Sequence, residues 1–345
     1  MQAMRKRLLR ILEGRGEYEN LGEVKTILWR EFTPFLGKIH AKIAFIHELC
    51  YNITMTSNEN KDKLIELKKE FDALKKGKES LLALLSEAEL PEAVYNSNAI
   101  ENSTLTISET EQILMEMEVS RDVSVREVFE AKNLARVSDY ITKKIKSLEV
   151  DGDLILFLHE MLLGAIDDEI AGHYRKKGEY VRVGTHVAPA PEYVEQMIEQ
   201  TLLEYSGALD TFVVDKIAKF HLDFETIHPF CDGNGRIGRV LINLQLMQSG
   251  FPPVIIRDKE KIDYYDSFKT YRALEKSNDM EKVVLLALYE SMHKRLAYLK
   301  GFEIIRVTEY AKGVDETSQN ALNKAIRQSI PAFREKGVWK IGVEK

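Results

Sequence analysis

The stretch His228-Pro229-Phe230-Cys231-Asp232-Gly233-Asn234-Gly235-Arg236-Ile237-Gly238-Arg239 lies between two segments whose apolar residues recur at helical spacing, Val213 to Ile227 and Arg236 to Met247. It therefore reads as a helix–loop–helix with its glycines at the mouth of the second helix. A Gly-Asn-Gly run there leaves backbone N–H groups uncovered, and these add to the positive end of the helix dipole. The result is an anion cradle suited to phosphate, built from Gly233, Asn234 and Gly235 and continued by Arg236, Ile237, Gly238 and Arg239. Arg236 and Arg239 stand three residues apart, so both can reach an anion held there. Asp232 at the edge of the cradle can hold Mg2+, a cation that binds few carboxylates and completes its shell with phosphate oxygens. His228 on the other side of the loop can take a proton from an attacking hydroxyl near neutral pH. Base, metal ligand, phosphate cradle and charge clamp are the parts that phosphate-anhydride chemistry needs. Phe230 has a simpler task, plugging the loop into the core.

The remaining sequence bounds what surrounds this loop. A chain of 345 residues, 44% hydrophobic and 30% charged, can bury a core that needs neither disulfide nor metal. A net charge of −6 speaks against a whole-protein role on nucleic acid or a membrane surface. Cys50 and Cys231 are far apart and lack metal-ligand spacing, which fits reduced thiols. The basic start from Met1 to Leu12 has too short an apolar run for a signal peptide. No stretch reaches the roughly 18 apolar residues of a membrane span. These features predict a cytoplasmic protein with no membrane partner.

Most of the chain carries helical rhythm. Leu21 to Tyr51 reads as one or two amphipathic helices, and the Lys/Glu-rich segment Asn58 to Glu79, with Leu64, Leu67, Phe71 and Leu74 on one face, as a solvated or coiled-coil-like arm. Ser108-Glu109-Thr110-Glu111 resembles a capping box that opens a helix through Met117. Val125 to Leu148 and Leu154 to Ile166 follow as helices around the turn Glu149 to Asp153. Tyr180 to Val187 alternates and is broken by Gly184, the pattern of a short β-hairpin, and a helix from Glu192 to Tyr205 succeeds it. After residue 303 come two short helices, around Gly313-Val314-Asp315, and two strands, in Ile330 to Phe333 and Lys336 to Ile341, that read as a wing. The expectation is a mainly α protein. It has an N-terminal helical region over 1–90, a helical core with a hairpin over 91–295, and a small winged helix-turn-helix unit over 303–345.

The loop matches the signature H-P-F-x-[DE]-G-N-[GK]-R-x-x-R at every specified position, and on it the chain resembles the Fic (Fido) family. The resemblance covers about Pro91 to Tyr289. It implies that His228 is the catalytic base, that Asp232 binds Mg2+, that Gly233 to Gly235 hold the phosphates of ATP and that Arg239 contacts the γ-phosphate. Val183, Gly184, Thr185 and His186 resemble the family's flap, which clamps target backbone by β-augmentation. Tyr264 and Tyr265 resemble its paired tyrosines near the adenine, although Arg272 stands where the family often has a small residue or Asn. Ser97, Glu101 and Asn102 match its inhibitory motif [ST]-x-x-x-E-[GN]. There the glutamate pairs bidentately with the last arginine and takes the place of the γ-phosphate.

The implied activity is protein adenylyltransfer, with ATP as substrate, Mg2+ as cofactor, a protein presenting a Ser, Thr or Tyr hydroxyl as partner, and Glu101 as inhibitor. Three alternatives stay open: removal of AMP at the same site, a bifunctional enzyme, and transfer of another phosphate-containing group. A further, non-enzymatic class comes from residues 303–345. Thr308-Glu309-Tyr310-Ala311 and Ile330-Pro331-Ala332-Phe333 resemble excisionase-like winged modules, with Ser318 to Arg327 as recognition helix. That unit has 8 Lys/Arg against 6 Asp/Glu, so DNA contact, packing on the core and pairing into a homodimer are all compatible with it.

Overall fold

The computed structural model describes residues 58–119 and 121–344. The helices expected between Leu21 and Tyr51, and Cys50, lie outside them. Helix α1 (Asn58–Leu74) is followed by α2 (Glu79–Ile100), α3 (Ile107–Leu114), α4 (Val125–Lys144) and α5 (Gly152–Leu163). A hairpin of β1 (Arg182–Val183) and β2 (His186–Val187) leads to α6 (Val194–Gly207), α7 (Val213–Ile227) and α8 (Asn234–Gln248). Two more helices, α9 (Lys261–Leu274) and α10 (Asn278–Lys300), precede the C-terminal unit. That unit runs β3 (Glu303–Arg306), α11 (Val307–Gly313), α12 (Ser318–Ile326), β4 (Ala332–Glu335) and β5 (Val338–Val343).

Helix α7 is central because most of its residues are buried, its apolar side chains facing two clusters while Lys216, Lys219 and Asp223 keep a polar stripe toward solvent. Phe220, Phe224 and Ile227 join one apolar cluster with Leu134, Leu158, Phe230, Ile237 and Leu241. Val214, Ile217 and Leu222 join a second with Ile242, Leu285, Leu288 and Met292. The motif loop joins α7 to α8 and so hangs from the most buried pair of helices.

Helix α1 is not a solvated arm. Leu64 and Phe71 are buried in the second cluster, and Lys61 pairs with Asp215 of α7 at 3.0 Å. The apolar stripe that the sequence shows is a docking face, worth about 1.5–3 kcal/mol for each fully buried side chain. The expected boundary at 90/91 falls inside α2, which continues through Pro91. The cap of α3 also differs from expectation. Thr106, two residues before Ser108, accepts from the Glu109 N–H while the Glu109 side chain accepts from the Thr106 N–H.

The hairpin turns at Gly184-Thr185, with Gly184 at φ +59° and Thr185 at negative φ, the pattern of a II′ turn. In the C-terminal unit the strand order is β3-β5-β4, all antiparallel. Its own small core is Val307, Ala311, Ala321, Ala325, Ala332 and Ile341. The β4–β5 hairpin is turned into the molecule. Arg334 donates to Glu290 of α10 at 2.6 Å, and the N–H groups of Lys336 and Gly337 donate to the Glu92 carboxylate of α2 at 3.0 and 2.9 Å. Arg257 completes this buried network with bonds to Glu92 and Glu290. The hairpin tip is therefore engaged, and α12 carries the exposed polar side chains Gln319, Asn320 and Asn323.

Candidate active site

Helix α7 stops at His228, whose backbone is left-handed at φ 51°. That conformation costs energy for a side chain with a Cβ, and the surroundings hold it. Buried Arg175 donates to the carbonyls of His228 at 2.8 Å, Ile227 at 3.2 Å and Pro189 at 2.9 Å. One guanidinium thus fixes His228, the end of its helix and the root of the hairpin. The hairpin has a second tie, a 2.9 Å contact from His186 Nε2 to the Thr226 carbonyl. Val183 and Val187 remain exposed along its edge, with Gly184 and Thr185 at its tip.

Inside the loop, Phe230 is fully buried and stacks on His159 with 3.7 Å between ring centres. His159 Nδ1 accepts from the Gly172 N–H, so its Nε2 carries the proton and donates to the Asp232 carbonyl at 3.0 Å. Burial lowers the His159 pKa to about 4, which keeps it neutral. Asn234 closes the loop on itself, accepting from the Phe230 N–H at 2.9 Å and donating to the Phe230 carbonyl at 2.8 Å. Its side chain is a staple, and what it offers an anion is its backbone N–H in the first turn of α8. Ile237 is core. Gly233, the N-cap, has φ +81° and lies against Leu162, Leu163 and His159.

The two arginines of the motif turn to different carboxylates. Arg236 bonds Asp232 at 3.1 Å and Glu130 at 3.3 Å. Arg239 turns to α2, where its Nη2 reaches Glu101 Oε1 at 2.8 Å and the Ser97 carbonyl at 2.8 Å, and its Nε reaches Ser97 Oγ at 2.9 Å. Residues i and i+3 share a helical face, but here separate carboxylates draw them apart. The Glu101 contact is single-ended, because Ser97 and Tyr264 take the other guanidinium positions. Burial alone would lower the Arg239 pKa, but Tyr264 and Glu101 outweigh it and hold the cation more firmly.

Glu101 reaches the cradle because of how α2 ends. Asn102 N–H bonds the Ala99 carbonyl at 2.9 Å and Ser103 N–H the Asn98 carbonyl at 3.0 Å. With Asn102 left-handed at φ 68°, this is a Schellman stop. The Gly-or-Asn position of the motif is thus a conformational requirement. The Glu101 carboxylate overlies Gly235, where a Cβ would collide with it.

Of the two tyrosines, the first is turned into the core. Tyr264 is 1% exposed, and its hydroxyl contacts His221 Nε2 at 2.8 Å and Arg239 Nη1 at 3.3 Å. It supports the arginine and offers no open face to an adenine. Tyr265 donates to the Ile100 carbonyl at 2.8 Å and so ties down the end of α2.

Asp232 Oδ1 accepts from the Gly233 N–H at 2.6 Å, and Oδ2 from Arg126 Nη2 at 2.5 Å. Burial would raise its pKa, but Arg236, the Gly233 N–H and Arg126 outweigh it and keep the carboxyl below its usual range. Among the described residues no group of three or more His, Cys, Asp and Glu side chains is placed to hold a metal. A single hard carboxylate beside a phosphate cradle fits Mg2+ that arrives with a nucleotide and takes the rest of its shell from phosphate oxygens. Sequence reading missed Arg126, Glu130, His159 and Arg175, which are remote in the chain. It also missed Glu225, whose spacing Glu-x-x-His before His228 was readable.

Residues 149–246 match the model of the Fic/DOC family. The chain is 33% identical over 219 residues to a protein adenylyltransferase Fic of Nematostella vectensis, covering 62% of this chain and 50% of that one. It is 34% identical over 180 residues to protein adenylyltransferase fic-1 of Caenorhabditis elegans, covering 50% of this chain and 35% of that one. The chain thus spans half or less of the length of these curated relatives. Among solved structures, a Fic domain containing signaling protein from Bacteroides thetaiotaomicron superposes with a TM-score of 0.62 at 25% identity, over 70% of this chain and 97% of that one. A fragment of Fic-1 from C. elegans superposes with a TM-score of 0.61 at 26% identity, over 82% and 80%.

Proposed function

We propose that this chain, which belongs to the Fic/DOC family through residues 149–246, moves AMP from ATP onto a Ser, Thr or Tyr hydroxyl of a protein and is restrained by its own Glu101. The observation that carries the reading is a carboxylate in the anion cradle. Glu101 lies over Gly235 at the N-terminus of α8 and 2.8 Å from Arg239. A site that holds one anion with helix N–H groups and a buried arginine can hold another of like geometry, and a terminal phosphate is such an anion.

In the proposed reaction the hairpin edge at Val183 to His186 pairs with an extended segment of the target and presents its hydroxyl to His228. His228 takes the hydroxyl proton as the oxygen bonds the α-phosphorus, and the bond from that phosphorus to pyrophosphate breaks. The first turn of α8 and Arg239 hold the charge that gathers on the leaving pyrophosphate. Mg2+ bound by Asp232 and phosphate oxygens would neutralise part of the same charge. Arg175 and Asn234 keep the loop in register, so that positioning is built before substrate arrives.

The test is to incubate the wild type, Glu101→Gly and Glu101→Gly/His228→Ala with MgATP labelled at the α- or the γ-phosphate. The expected outcome is label from the α-phosphate only, stronger in Glu101→Gly and lost with His228→Ala. Transfer of the γ-label would make the protein a kinase, and no transfer from either position would overturn the proposal.

A further inference from the structure

Helix α7 ends in two titratable residues three apart, Glu225 and His228, and the reaction above uses only the second. Glu225 is buried, and its Oε2 stands 3.7 Å from His228 Nδ1. His221 lies one turn earlier on the same stripe. Three buried polar atoms of this stripe have no hydrogen-bond partner among the described residues: His221 Nδ1, Glu225 Oε1 and His228 Nδ1. Buried polar atoms are nearly always satisfied, and the two orphans Glu225 Oε1 and His221 Nδ1 lie on the same stripe as the orphaned Nδ1 of His228.

The neighbouring helix is shaped to admit this carboxylate. A Cβ on Gly238 of α8 would stand 2.6 Å from His221 Cε1 and 2.8 Å from Glu225 Oε1. Gly238 occupies a position that the motif leaves unspecified, yet here the carboxylate requires it. The charged and titratable groups facing Glu225 include His221 and His228 on α7, Arg239 on α8, and Tyr264, Tyr265 and Arg272 on α9. Burial alone would raise the Glu225 pKa, but His228, His221 and Arg239 outweigh it and hold the group as an anion. Burial lowers the His221 pKa to about 4, so its ring is neutral.

We propose that Glu225 is a positioning residue for the base: its carboxylate accepts the Nδ1–H of His228 and leaves Nε2 as the lone pair that takes the proton. The proposal rests on the adenylyltransferase reading. A carboxylate behind an imidazole fixes the tautomer and ring plane and stabilises the imidazolium that forms. The target's proton goes to Nε2, and Glu225 stays ionised throughout. The 3.7 Å separation is about 1 Å longer than a hydrogen bond. Catalytic contacts of this kind are commonly long without substrate and tighten when it binds.

The test reads the tautomer and the rate separately. Histidine-selective 15N labelling is applied to the wild type, Glu225→Gln and Glu225→Leu, with His228→Ala to assign the resonance. Gln keeps an acceptor and Leu removes it. The expected result is a His228 Nδ1–H tautomer in the wild type and Glu225→Gln, shifted toward Nε2–H in Glu225→Leu. In the Glu101→Gly background, Glu225→Leu is expected to lower kcat about tenfold to a hundredfold with KM for ATP unchanged, and Glu225→Gln to retain most of the rate. Gly238→Ala, which crowds the same carboxylate from α8, is the second variant should Glu225→Leu not fold, with the same loss expected. An unchanged tautomer in Glu225→Leu, or a loss carried by KM, overturns the role of Glu225. If Glu101→Gly transfers no AMP at all, the functional reading fails, while the tautomer still decides the pair.

Discussion

Glu101 Oε1 lies 2.8 Å from Arg239 Nη2 and overlaps the place that a Cβ on Gly235 would take. One carboxylate therefore lies over the N-terminus of α8 and engages the arginine that the proposed reaction assigns to the nucleotide. A hydrogen bond to a charged group is worth about 1.5–3 kcal/mol, and Glu101 is half-exposed, so the lower end applies. Glu101→Gln is expected to tighten binding of a non-hydrolysable ATP analogue about tenfold, measured by calorimetry. Gly235→Ala separates expulsion of Glu101 from opening of the cradle: its methyl group displaces the carboxylate and occupies the same space, so affinity is expected to fall.

Arg126 is the counterpart at Asp232, the residue proposed to hold Mg2+. It is half-exposed and bonded to Asp232 Oδ2, whereas Oδ1 is taken by the Gly233 N–H and Arg236. Exposed pairs of this kind contribute about 0.2–1 kcal/mol, so a divalent cation competes with it easily. Mn2+ binding in the presence of the ATP analogue, followed by electron paramagnetic resonance, is expected to strengthen about two- to fivefold in Arg126→Ala. Weaker Mn2+ binding would mean that Arg126 supports the metal site instead of competing with it.

The C-terminal hairpin gives a stability prediction. Arg334 lies on Glu290, and Arg257 bridges Glu290 to Glu92, all of them buried. Removing one member of a buried pair leaves an uncompensated charge and costs about 3–5 kcal/mol. Arg334→Met is expected to lower the urea midpoint by that amount of stability, whereas Lys336→Met, whose side chain meets Glu111 at the surface, should change little. Deleting residues 303–345 should destabilise the helical core, because that unit closes the network on α2.

What was legible in the sequence was local. The helix–loop–helix around His228 to Arg239 could be read because its capping, glycine placement and periodicity are all set within a few residues. The face of α1 was legible too, since Leu64 and Phe71 repeat at helical spacing, but its partner α10 lies more than 200 residues away in the chain. Distant partners account for the misreadings. Tyr264 looked like an adenine contact, and it is His221 and Arg239 that bury its hydroxyl. Arg236 and Arg239 looked like one clamp, and Glu130 and Glu101, on two different helices, divide them. The Schellman stop at Asn102 could have been read from its Gly-or-Asn position, because few other residues accept a left-handed backbone.

Three buried histidines set the pH dependence of stability. Burial lowers the pKa of His159, His221 and His293 to about 4 each, from 6.5. In the unfolded chain these rings protonate as pH falls through 6.5, while in the folded protein they stay neutral until about 4. The unfolded state thus binds more protons across that window, and folding stability must rise with pH there. Each ring contributes up to about 3 kcal/mol, a ceiling reached only if the folded protein stays rigid. Urea midpoints measured from pH 4.5 to 8 should climb up to about pH 6.5 and then level off. His293 is the cleanest site to test, being remote from the motif loop and bonded through Nδ1 to Gln328 at 2.8 Å. His293→Gln should flatten the slope by about one proton while leaving the contribution of His159 and His221 in place. A slope unchanged by this substitution would show that His293 protonates in the folded protein, and that Gln328 accommodates the charged ring.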